Sequence, residues 1–388
     1  MNLDLRSWSF FLFIGCVMIN PLQSSMNAVD KDKISQLQQV KAKKKDRRSK
    51  NPPVENITDR RTIRPLPLAE PDLSYITEYV SFVSLCRDAD ISSNAHKAEL
   101  SEYLNPQNVN PGDIIWVSNF DVFFYKFFPF IKNPFILIVS GNAKPFCNSL
   151  YEEIDSLLDD PRVIHVFAQN NEYVGNSTKV SHIPIGIDFH RSEYIQRSYQ
   201  GITSSEDQEN ELKKIISKLP PTYKRIPGAF VDFNLNDSMI NGLRLGYINR
   251  YFSENRTQIF DKIIESSVIE YSKDRKIIQR SDLWKIKGQY AFSISPPGLG
   301  YDCFRTWEDL ALGCIVIVKT SPLDPLFDGL PVVIIQDWSE INPENFAKWL
   351  VQYGDAFTNP NYREKLTHRY WMNKIRAKQS EFKAQHGL

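Results

Sequence analysis

Five runs of the chain, DIIWVS (113–118), PFILIVS (134–140), VIHVFA (163–168), CIVIV (314–318) and LPVVII (330–335), are almost wholly apolar and rich in β-branched residues. A strand with one wet face alternates polar and apolar side chains, whereas a strand covered on both faces does not. Such runs therefore predict parallel strands buried between helical layers, the α/β class. YVSFVSL (79–85), KVSHIPIGI (179–187), AFVDF (229–233) and YAFSIS (290–295) extend the strand series. Helix-length pieces such as NSLYEEIDSLLDD (148–160) stand between them, and the amphipathic stretches from Asn342 onward predict C-terminal helices. At 388 residues the chain exceeds one ordinary core. LPPTYKRIPG (219–228) interrupts all periodicity. The expectation is two doubly wound, Rossmann-like domains, 72–222 and 223–388, with a cleft between them where such folds bind ligands.

The first 71 residues have a different character. Ser7 to Ile19 is mostly apolar, follows Arg6, and is shorter than the roughly 20 residues a bilayer-spanning helix needs. Residues 1–25 thus read as a signal peptide or short signal anchor, which places the rest in the secretory pathway, in the lumen of the ER or Golgi. Sequons at Asn56, Asn176, Asn236 and Asn255 agree with that address. Residues 26–71 read as a basic, proline-ended stem, since 30–64 hold 12 Lys and Arg against 5 Asp and Glu. The remainder from residue 65 carries a net charge of −6, so no nucleic-acid partner is expected, and membrane contact is confined to the N-terminal segment. An oxidising lumen would permit one or two disulfides among Cys86, Cys147, Cys303 and Cys314, and no Cys/His cluster suggests zinc.

The chemistry concentrates in SPPGLGYDCFRTWEDLALGCIVIV (295–318). A strand ends at Ser295; Gly298 and Gly300 allow a tight turn and close approach of a ligand to the backbone. Asp302 stands where a helix N-cap belongs, before a helix ended by Gly313. Free N–H groups at such a helix start attract a phosphate or diphosphate. On the helix Phe304, Trp307 and Ala311 share a core-facing side, and Arg305 and Glu308 share another. Arg305 suits phosphate and Glu308 suits ribose hydroxyls, although the same spacing also describes an exposed ion pair beneath an ordinary turn. Arg244, with Arg250, lies on a helix-like stretch, 238–252, and adds candidate charge on the donor side.

Residues 295–341 resemble the C-terminal half of exostosin-like glycosyltransferases, in which a proline-glycine loop leads into an Arg-x-x-Glu helix and a GCIPV-type strand. FAQN (167–170), HIPIGID (182–188) and AFVDF (229–233) are similar to stretches of the same relatives; elsewhere within 75–375 the likeness is thin. The resemblance implies a GT-B fold and sugar transfer from a nucleotide-diphosphate donor, mostly uridine-linked, to a glycan or glycoprotein acceptor. It implies inversion and no tightly bound metal or other cofactor. Arg305 matches the phosphate-side arginine and Glu308 the ribose-binding glutamate. Val316 stands where the relatives favour proline, and Asn142 and Ala143 stand where an acidic or histidine side chain is expected after a strand. That second departure opens an alternative, a catalytically inactive carbohydrate- or nucleotide-binding relative.

Glycosyl transfer with inversion needs a base for the acceptor hydroxyl. Asp121, after DIIWVSNF, and Asp188 and His190, after HIPIGI, lie at expected strand ends of the first domain and are the candidates. Asp88-Ala-Asp90 has the spacing of a metal-binding pair but reads as a capped turn.

Overall fold

In a computed structural model, residues 75–92, 105–141, 144–189, 204–233, 235, 254–272 and 278–388 are described. The N-terminal segment, the basic stem, Asn142, Ala143, His190, Arg244 and Arg250 lie outside the described residues. Among the described residues no helix is long and apolar enough to cross a membrane.

The chain is α/β, built on two five-stranded parallel sheets. The first runs β1 (Ile91–Ser92), β2 (Asp113–Val117), β3 (Phe135–Val139), β4 (Val163–Ala168) and β5 (Val180–His182), adjacent in that order. Residues of β2 and β3 alternate between two cores: Ile115, Val117, Leu137 and Val139 face one, Ile114, Trp116, Ile136 and Ile138 the other. Both sets are apolar because both faces are covered, which is why these strands lack alternation. Helices α1 (Phe82–Asp88), α2 (Phe120–Lys126) and α3 (Ile154–Asp159) pack here.

After α4 (Ser205–Ile216), the second sheet holds β6 (Ile226–Val231), β7 (Ile269–Tyr271), β8 (Tyr290–Ile294), β9 (Ile315–Lys319) and β10 (Val332–Ile335). Its order is β10-β9-β8-β6-β7. From β6 the chain steps outward to β7 and then returns to the far side of β6 to lay down β8. The strand order reverses there, and α/β sheets bind ligands beyond the carboxyl ends of the strands at such a switch point. Between these strands lie α5 (Arg256–Ile263), α6 (Arg280–Lys287) and α7 (Phe304–Ala311). Three C-terminal helices follow: α8 (Pro343–Tyr353), α9 (Pro360–Glu364) and α10 (His368–His386).

Helix α10 returns to the first sheet. His368 bonds Asp88 at 3.0 Å, Arg376 bonds Asp90 at 2.8 Å, and Gln379 Nε2 donates to Asp90 at 2.7 Å. The Asp88-Ala-Asp90 carboxylates thereby clamp the last helix. One hydrophobic core runs from β2 and β3 through α1, α10 and α7 to β9, so the two sheets share their packing.

Two expectations are corrected. YVSFVSL forms helix α1 and not a strand, because Ser81 caps it by accepting the Ser84 N–H at 3.1 Å. Thr77, Ser81 and Ser84 hydroxyls close a buried cluster at that cap, and Phe82 to Cys86 are apolar or small on every side because every side is buried. No disulfide joins Cys86, Cys147, Cys303 and Cys314.

Candidate functional site

The carboxyl ends of β6 and β8 deliver Asp232-Phe233 and Ser295-Pro296-Pro297-Gly298 to the switch point, and α7 starts just beyond. Ser295 is buried; its N–H donates to Ile317 O at 2.9 Å and its hydroxyl bonds Thr306 Oγ1 at 2.8 Å, which pins the end of β8 to the first turn of α7. The loop closes on itself through Gly298 N–H to Gly300 O, 2.9 Å. Arg256 on α5 braces it from outside, Nε donating to Pro297 O at 2.8 Å, and a Cβ on Gly298 would meet Arg256 Nη2 at 2.8 Å.

Asp302 is not the N-cap. That position is Cys303, which makes no side-chain cap bond. The buried Asp302 carboxylate instead accepts the Ile185 N–H at 2.6 Å, across from the first sheet, and the Trp307 indole N–H at 2.8 Å. Burial is the dominant influence on it and lifts its carboxyl to about 7, against the pull of these donors. No side chain caps α7, and in its first turn the Thr306 N–H donates to Cys303 O at 3.0 Å.

Asn170, in the left-handed region at φ 47°, completes the contact between the lobes: its Oδ1 accepts the Asp302 N–H at 2.8 Å. Gly300 lies so close that a Cβ there would meet the Asn170 amide at 2.4–2.7 Å. Gly300→Ala is therefore expected to destabilise the protein by about 1–3 kcal/mol, from forced displacement of well-packed atoms. Denaturant unfolding measures this, and an unchanged midpoint would refute the contact.

Arg305 and Glu308 are both largely buried and do not pair with one another. Arg305 Nε lies 3.9 Å from Asp232 Oδ1, its guanidinium sits 5.9 Å from the Phe233 ring centroid, and its buried Nη1 has no hydrogen-bond partner among the described residues. Beneath it Lys287 Nζ lies 3.1 Å from Asp232 and donates to both oxygens of Asp309 at 3.0 and 2.9 Å; Asp309 also accepts the Ser293 hydroxyl. Asp232 is thus shared by two cations, Lys287 and Arg305, which hold its carboxyl below the usual range despite burial. Glu308 accepts from Arg280 and from the Trp284 indole N–H at 3.1 Å. Arg280 also donates to the Asp188 carbonyl at 2.7 Å, so Glu308 is oriented by a group that spans both lobes. Asp232, Lys287, Arg280, Arg256 and Asn170 were not legible as site residues, because each acts from a separate segment that only the fold brings to α7.

Among the candidate bases, Asp121 lies in the first turn of α2 in an exposed pair with Lys144 at 3.6 Å, and Asp188 is buried with its carbonyl held by Arg280. Among the described residues no three His, Cys, Asp or Glu side chains cluster to hold a metal ion.

No protein-family model matches the chain. No curated protein matches it either. Among solved structures it is similar to an α,α-trehalose 6-phosphate synthase from Burkholderia multivorans, with 13% identity over 72% of this chain and 73% of that one and a TM-score of 0.33. A trehalose-6-phosphate structure from E. coli bound with UDP-2-fluoro glucose gives 14% identity, 74% and 76% coverage and a TM-score of 0.33. Likeness at this level carries no argument here, and the α/β architecture and the site stand on strand order and side-chain geometry.

Proposed function

We propose that the chain is a glycosyltransferase of the GT-B type that binds a nucleotide-diphosphate sugar at the β6/β8 switch point. The observation that carries this reading is the buried Nη1 of Arg305 at the start of α7, which has no partner among the described residues and lies beyond the carboxyl ends of the strands where their order reverses. A diphosphate supplies the acceptor that this donor lacks. The guanidinium, at the positive end of the α7 dipole, stabilises the negative charge that leaves with the diphosphate when the bond to the anomeric carbon breaks. Glu308, held in place by Arg280 and Trp284, keeps acceptor positions for ribose hydroxyls, since a carboxylate has about four. Uridine as the base, a glycan or glycoprotein as acceptor, inversion, independence from metal and a lumenal or membrane-anchored setting follow from the sequence resemblance and the N-terminal reading, and belong to the same proposal.

Saturating UDP is the first test. At about 100 times its Kd a ligand that binds only the folded state adds about 2.7 kcal/mol, expected to raise Tm by about 3–4 °C for a protein of this size. ADP and GDP serve as controls, and a protein indifferent to every nucleoside diphosphate does not have this site.

A further inference from the structure

Beside the contact between Asn170 and the Pro-Gly loop, the first lobe presents a carboxylate to which the sequence draws no attention. The chain leaves β4 through Gln169, whose Oε1 accepts the Ser140 hydroxyl and the Gly141 N–H, both at 3.0 Å. Asn170 then grips Asp302, and Glu172 follows, its own N–H donating to Phe146 O at 3.0 Å. This fixed backbone sets Glu172 beyond the carboxyl end of β4, two residues past the point where the lobes touch. The Glu172 carboxylate lies near enough to the hydroxyl of Tyr301, the residue between Gly300 and Asp302, to raise its pKa.

Taking the switch-point pocket as the donor site, we propose that Glu172 is the general base of sugar transfer. Its carboxylate takes the proton of the acceptor hydroxyl as that oxygen bonds to the anomeric carbon. The bond from that carbon to the diphosphate breaks, the electron pair leaves on the nucleoside diphosphate, and the proton passes from Glu172 to solvent. Placement fits the role, because the base belongs on the acceptor lobe facing the departing diphosphate. So does environment: burial alone lifts this carboxyl to about 7, and no charged group among the described residues contributes. A base poised near the working pH is the efficient one. The nearby Tyr301 hydroxyl is itself raised by burial and by Glu172, so it stays protonated over this range.

Glu172→Gln preserves the side chain's size and removes its basicity. UDP affinity, read by calorimetry, is expected to be unchanged. UDP release from UDP-glucose, UDP-galactose, UDP-N-acetylglucosamine and UDP-xylose is expected to fall about 100- to 10,000-fold in kcat, with KM nearly constant. In the wild type the rate should rise with pH through about 7, since the base works only when ionised, and that limb should vanish in the variant. A variant that releases UDP at the wild-type rate, or keeps the limb, overturns the assignment and leaves the donor pocket standing. Wild-type protein that binds UDP but releases none from any of the four donors also overturns the assignment alone, whereas wild-type protein that binds no UDP overturns the pocket with it.

Discussion

Replacing Arg305 with alanine is expected to weaken UDP binding by about 10- to 150-fold, the equivalent of one charge-assisted hydrogen bond at about 1.5–3 kcal/mol. The guanidinium owes little to its protein partners. Its contact with Asp232 is a long 3.9 Å and its Nη1 has no hydrogen-bond partner among the described residues, while Asp232 keeps Lys287 at 3.1 Å when the arginine is gone. Little folding stability is therefore tied to this side chain, and the loss should register in ligand affinity more than in Tm. Arg305→Lys keeps the charge but loses the planar fork, and should recover only part of the affinity. Calorimetric titration with UDP distinguishes the three proteins. Equal affinity in wild type and Arg305→Ala would remove the diphosphate from this pocket.

The strands of the two sheets were legible because burial on both faces forces continuous apolar sequence; β2, β3, β4, β8 and β10 lie within the runs that predict them, and β9 runs one residue past its own, to Lys319. The same rule misled at 79–85. A short helix buried on all sides is apolar on all sides, so periodicity cannot separate it from a strand, and the deciding signal is the Ser81 cap with its Ser84 partner. The Pro-Gly loop and the helix after it were also legible, being contiguous in sequence. Asp302 shows the limit of that reasoning. One residue before the helix, a carboxylate suggests a cap, yet it is drawn instead to the Ile185 N–H, 117 positions away, because a buried donor there needs an acceptor. Glu308 was legible as a carboxylate aimed at the site, but Arg280 and Trp284, which aim it, precede it by 28 and 24 residues and share no motif with it.

Lys287→Met is expected to have the largest effect on folding, about 3–5 kcal/mol, and to lower Tm by about 4–8 °C. Lys287 is buried and is the cation nearest to two buried or nearly buried carboxylates, Asp309 and Asp232. A methionine fills similar space but leaves Asp309 with only the Ser293 hydroxyl among its named partners. The cost is that of an uncompensated buried charge, so its pH dependence has a definite sign. Burial already raises the Asp309 carboxyl and Lys287 opposes it; without the lysine it rises further, the folded state binds the proton more tightly than the unfolded chain, and the variant gains stability as pH falls from neutrality. The double variant Lys287→Met, Asp309→Leu removes that charge and should be more stable than Lys287→Met alone, which denaturant unfolding at neutral and mildly acidic pH measures directly. Function should follow the same network. Relieved of Lys287, Asp232 has Arg305 as its remaining cation, and a guanidinium drawn onto a carboxylate is less available to a diphosphate, so UDP affinity should fall in the single variant even where it remains folded. A Lys287→Met protein that melts with the wild type would mean that Asp309 is already protonated in the native state and that this triad holds no ion pair.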